Sequence, residues 1–113
     1  MPFIKIMNLS AEKAAVVAEN AVGEIARATG INESAFNWFN CGELIKCKET
    51  APLVFVEVEW YARNETQMQK VAAILSGEVK KHGDYVVSVV FQDMKAGNHY
   101  TDGVKFKPPV NNS

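Results

Sequence analysis

Little in this sequence points to a charged partner, a metal or a membrane. Twelve basic and thirteen acidic side chains leave a formal net charge of −1. No electrostatic field therefore gathers phosphates or anionic lipid, and nucleic acid is not an expected partner. Apolar runs such as YVVSVVF, Tyr85 to Phe91, fall far short of the ~20 residues that cross a bilayer. The N-terminus lacks a basic segment followed by an apolar one and a cleavage site, so a cytoplasmic location with no membrane association is expected. Cysteine and histidine are scarce, at two each. Cys41 and Cys47 match neither a redox Cys-x-x-Cys nor a zinc spacing, so both thiols read as structural, and no metal or cofactor is expected.

What is present is a globular composition, 48% apolar and 22% charged over 113 residues, enough for one compact domain. PFIKIMNL alternates as a strand does. In the following SAEKAAVVAENAVGEIARATG, Ala14, Val17, Ala18, Ala21, Ile25 and Ala28 recur at helical spacing, with Ser10 to cap the start and Gly30 to end it. FNWF, Phe36 to Phe39, suggests a short strand, and GELIKCKETAP an irregular connection or a hairpin. LVFVEVEWY puts Val54, Val56, Val58 and Trp60 on one face and Phe55, Glu57, Glu59 and Tyr61 on the other. Asn64 then offers a cap for a helix whose stripe is Met68, Val71, Ala72, Leu75 and Val79, ending at Gly83. YVVSVVF is apolar on both faces, as in a strand covered on both sides, and QDMKAGNHYTDGVKF reads as turns with a further short strand.

These pieces repeat. Laying FIKI at Phe3 on FVEV at Phe55, an offset of 52, brings Gly30 within one residue of Gly83. The expected fold is therefore α+β: two β-α-β repeats, about 2–50 and 51–107, forming a four-stranded mixed sheet with two helices on one face and short extra strands. Residues 108–113 are expected to be a flexible tail. Two helices leave the other sheet face uncovered, and self-association is the simplest supply of a cover.

Met-Pro before a strand, a helix closing in ATG, and the late FQDMKAGNHYTDGVKF together resemble the tautomerase superfamily, of the type of macrophage migration inhibitory factor. The stretches FVEVEWYARNETQMQKVA and HYTDGVKF are similar to an uncharacterised bacterial branch of that superfamily, labelled only as a domain of unknown function. The resemblance implies a homotrimer with active sites at subunit boundaries. It also implies that Met1 is removed and that the ring nitrogen of Pro2 becomes a general base for a small 2-oxo or enol carboxylic acid. An α-amine titrates near ~8, and an apolar pocket lowers this toward neutrality. Relatives in which the proline stays cationic catalyse hydration, decarboxylation or dehalogenation instead.

A carboxylate substrate needs a cation, and Arg63, in the loop after the second long strand, is the candidate, with a solvated loop arginine as its plain alternative. Trp60 and Tyr61 belong to the pocket rim that the resemblance implies. Tyr100 is a candidate donor to a developing enolate, His99 adds polarity beside it, and Phe106 resembles an aromatic wall. Tyr100 is equally readable as an interface residue, for His99 that interface reading is favoured, and Phe106 is at least as readable as a plain core phenylalanine. Glu57 and Glu59 read as the wet side of a strand, Asn40 as a pocket or turn residue, and Lys5 and Arg27 as ordinary surface cations. The chain departs from the family pattern at Ile31, where the relative has a lysine, and at Ser88, where it has a tyrosine. The alternative to an isomerase is a non-catalytic trimeric binding or interaction protein that keeps the fold. A third reading, an RNA-binding or small-ligand regulatory domain, is disfavoured by the missing basic field.

Overall fold

The computed structural model describes residues 2–45 and 51–107. Met1, Cys47 and the tail 108–113, each the subject of an expectation above, lie outside the described residues. Five elements carry the architecture: β1 (Phe3–Met7), α1 (Ala11–Thr29), β2 (Asn37–Asn40), β3 (Leu53–Trp60) and α2 (Glu65–Lys80). β4 (Val86–Asp93) completes the second repeat, and β5 (Tyr100–Thr101) and β6 (Val104–Lys105) form a separate hairpin.

The four longer strands form one mixed sheet in the order β2-β1-β3-β4. β1 runs parallel to β2, antiparallel to β3, and β3 runs parallel to β4. Each parallel pair is joined through its helix, which is the two-copy pattern expected from the repeat.

The period-2 alternation decides which face the helices cover. Ile4, Ile6, Val54, Val56, Val58 and Trp60 are buried and pack with Val17, Ala21, Ile25, Val71, Leu75 and Val79 of the helices. Burying a side chain of this size stabilises by about 1.5–3 kcal/mol, so these stripes hold the helices to the sheet. Ser10 caps α1 by accepting from the Lys13 N–H at 3.3 Å. Gly30, at φ 75°, closes it through a bond from its N–H to Ala26 O, in the left-handed conformation that favours glycine. Asn64 caps α2, its Oδ1 accepting the Gln67 N–H at 2.8 Å.

Two boundaries differ from the sequence reading. The second strand begins at Asn37, because Phe36 turns into the core at the end of a 3-10 turn over Glu33–Ala35 that Asn32 caps. α2 stops at Lys80 rather than running to Gly83; Lys81 caps it, and the His82 N–H bonds Val79 O. Among the described residues no helix is long and apolar enough to cross a membrane.

The second sheet face has no helix on it. Phe3, Lys5, Met7, Phe55, Glu57 and Glu59 are half-buried there, and Phe39, Val86 and Val90 are exposed.

Candidate active site

One end of the sheet gathers most of the sequence-derived candidates. Pro2 stands at the head of β1 with its ring fully buried. A proline has no N–H to give to a strand ladder, so a strand start suits it. Its carbonyl accepts the Asn37 N–H at 3.0 Å, tying β1 to β2 at this end. The β1–β3 register pairs Phe3 with Glu59, and one further step sets Pro2 opposite Trp60. The Pro2 nitrogen is a main-chain atom one residue before β1.

On the helix side are Trp60 and Arg63. Trp60 is only 1% exposed and stacks on Phe91 with ring centres 5.1 Å apart. It is a floor of the core in this chain rather than a rim, as its even position in β3 requires, and its buried Nε1–H has no hydrogen-bond partner among the described residues. Arg63 reaches back from the β3–α2 loop, and its Nη1 donates to Thr29 O at 3.3 Å. Thr29 is buried at the end of α1, its hydroxyl donating to Ile25 O at 2.8 Å and accepting from the Ile31 N–H at 3.3 Å. Arg63 thus links the two repeats where α1 ends and α2 begins. Burial holds its guanidinium below its ordinary pKa, because desolvation disfavours the charge.

On the open side the structure brings together Tyr61, His99 and Phe106, and adds Phe3. Tyr61 Oη lies 2.8 Å from His99 Nδ1. Phe106 stacks on His99 at 4.5 Å and on Tyr61 at 5.9 Å, and Phe3 meets His99 edge-on at 6.1 Å. The β5–β6 hairpin makes this possible. Asp102 and Gly103, at φ 52° and 78°, form the tight turn that such hairpins favour, and the Phe106 N–H returns to His99 O at 2.8 Å. Burial pushes the Tyr61 phenol above its ordinary pKa. Phe3 and His99 also line a cleft of about 360 Å³ together with Glu59, Asp93, Met94 and Lys95.

Tyr100 takes no part in these ring contacts. It sits on β5 opposite Lys105 and is 57% exposed. Of the two departures from the family pattern, Ile31 is buried in the core, and Ser88 lies half-buried on the open face opposite Phe55.

Sequence reasoning passed over two features. Phe3 joins the aromatic group, and its place beside Pro2 was the available signal. Lys5 pairs with both strand acids, reaching Glu59 Oε1 at 2.5 Å and Glu57 Oε1 at 3.7 Å. The signal there was the antiparallel partnership of β1 and β3, which sets Lys5 directly opposite Glu57. The hydrogen bond to Glu59 raises the Lys5 pKa above 10.5, against a lowering by desolvation.

Comparison with known proteins bears on this arrangement. The model of a family described as "Domain of unknown function (DUF1904)" matches residues 1–105. A crystal structure of a DUF1904 domain from Sebaldella termitidis is 28% identical, covers 94% of this chain and 100% of its own, and superposes with a TM-score of 0.83. A macrophage migration inhibitory factor homologue from Prochlorococcus marinus is 17% identical, with coverage of 93% and 99% and a TM-score of 0.76. Pt0534, crystallised inactivated by 2-oxo-3-pentynoate, is 19% identical, with coverage of 90% and 93% and a TM-score of 0.73. At those last two identities the likeness is one of fold. No curated protein matches the chain.

Proposed function

The chain belongs to the DUF1904 family and has the tautomerase fold, and on that footing we propose that it is a tautomerase-type isomerase acting through Pro2. Once Met1 is removed, the Pro2 nitrogen is a secondary amine. Burial of Pro2 disfavours its ammonium form, which brings a base of ordinary pKa near ~8 toward neutrality. As the free base it takes the proton from the C2 hydroxyl of a small 2-oxo acid's enol form and returns it to C3, as the C2=C3 double bond gives way to the C2 carbonyl and completes ketonisation. Arg63 holds the carboxylate through two parallel N–H groups, and Phe106 and Phe3 form an apolar wall around the Tyr61–His99 pair.

The observation that carries this reading is the burial of Pro2 at the head of β1, next in sequence to Phe3, which lines the cleft with His99. The fold shared with a protein inactivated by a 2-oxo acid supports the substrate class. Assembly as a homotrimer through the open sheet faces belongs to the same proposal. Its support is the exposure of Phe39, Val86 and Val90 around the Lys5 cluster.

Intact mass of the protein expressed without a tag, followed by ketonisation of phenylenolpyruvate, tests the reading. Met1 is expected to be absent and Pro2→Ala to abolish most of the activity. Retention of Met1, or equal rates for both proteins, would overturn the proline base and leave the fold as a binding module.

A further inference from the structure

The Tyr61–His99 hydrogen bond can run either way with the imidazole tautomer, and the phenol O–H, more acidic than a neutral imidazole N–H, is the better donor of the two. The phenol oxygen and His99 Nδ1 are 2.8 Å apart. A phenol at neutral pH is protonated, and burial keeps this one so. A neutral imidazole accepts at one nitrogen and donates at the other. With Nδ1 accepting from Tyr61, the ring hydrogen sits on Nε2.

The ring is also held in place. Phe106 stacks on one side at 4.5 Å, Phe3 closes edge-on at 6.1 Å, and the Phe106 N–H is bonded to the His99 carbonyl at 2.8 Å. Turning the imidazole over would put a carbon where Nδ1 stands and break the bond to Tyr61. Because His99 lines the cleft and Nδ1 is engaged, the nitrogen left to meet a ligand there is Nε2.

We propose that Tyr61 is a positioning residue that fixes His99 in the Nε2–H tautomer, and that this Nε2–H is a hydrogen-bond donor from the cleft to the 2-oxo oxygen of the substrate. The substrate half rests on the isomerase reading above; the tautomer half stands without it. His99 thereby takes the donor role for which the sequence offered Tyr100 as a candidate. A fixed neutral donor meets a developing enolate without reorganising, which is where such groups contribute most. The charged groups that share the cleft are Glu59, already bonded to Lys5, and Asp93 and Lys95, both exposed.

Long-range proton–nitrogen correlation of the two histidines at pH 7.5, with His99→Gln assigning the signals, reads the tautomer without any activity. The expected spectrum has a bare Nδ1 and a protonated Nε2, giving way to a tautomer mixture in Tyr61→Phe. A doubly protonated ring, an Nδ1–H tautomer, or a spectrum unchanged in Tyr61→Phe would overturn the proposal. Titration with pyruvate should shift the His99 Nε2 signal in the wild type, and no shift would overturn the donor role.

In turnover of phenylenolpyruvate, Tyr61→Phe should lower kcat by about 10- to 100-fold with KM nearly unchanged. An unchanged kcat in an enzyme that Pro2→Ala inactivates would overturn the positioning role. Where Pro2→Ala and wild type turn over equally, the isomerase reading fails by itself, and the spectrum and pyruvate titration decide the dyad.

Discussion

Replacing Lys5 with methionine distinguishes a lone chain from an assembly in which the open sheet face is covered. In the single chain the Lys5, Glu59 and Glu57 side chains are 35%, 32% and 21% exposed. Ion pairs as wet as these contribute about 0–1 kcal/mol, so in a monomer Lys5→Met costs no more than about 1 kcal/mol. If the faces of three copies meet, the same cluster is shut away from water. Removing one partner of such a pair then costs about 3–5 kcal/mol, because uncompensated charge is left behind. Here it would be two carboxylates on one strand face. We expect the larger loss, read as a shift in urea unfolding, together with dissociation in sedimentation velocity. Adding Glu57→Gln and Glu59→Gln to Lys5→Met should restore most of the stability, since amides strand no charge. A loss under about 1 kcal/mol with the same sedimentation behaviour would refute the covered face. The alkaline limb offers a second reading. The Lys5 pKa is raised on folding, chiefly by its hydrogen bond to Glu59, so its contribution is complete below pH 10.5 and fades as pH climbs through the raised value. The wild type should lose its advantage over Lys5→Met only there.

Two other substitutions probe the site's framework. Asn64→Ala removes the side chain that caps α2 beside Arg63 and should cost about 1 kcal/mol, or about 4 °C in Tm by calorimetry; Asn64→Asp should keep the wild-type Tm, and equal Tm values for all three proteins would reject the cap. Arg63→Ala should raise KM for a carboxylate substrate about tenfold or more, with Arg63→Lys restoring only part because the planar fork is lost; an unchanged KM would remove Arg63 from the site.

The parts of the fold that local pattern encodes were legible. Alternation in LVFVEVEW set the two faces of β3, and spacing from Ala14 to Ile25 set the buried stripe of α1, because each residue's environment follows from its own neighbours in sequence. Phe36 shows where that stops. Its aromatic character suits a strand, but the Asn32 cap starts a turn that swings it into the core. The site was less legible, because its geometry depends on residues far apart in sequence. Tyr61, His99 and Phe106 meet only after the hairpin at Asp102 and Gly103 folds back. Trp60 carried two incompatible signals, a core position by parity and a rim position by resemblance, and parity describes where it lies in this chain.

The attachment of Pro2 bears on how the protein is made. Its carbonyl holds Asn37 in the sheet, while its nitrogen, with no N–H to give, contributes nothing to the ladder. Cutting the bond before Pro2 therefore removes no strand hydrogen bond that this residue supplies. On the proposed reading, loss of Met1 is then a chemical event that leaves the strand pairing of Pro2 as it was.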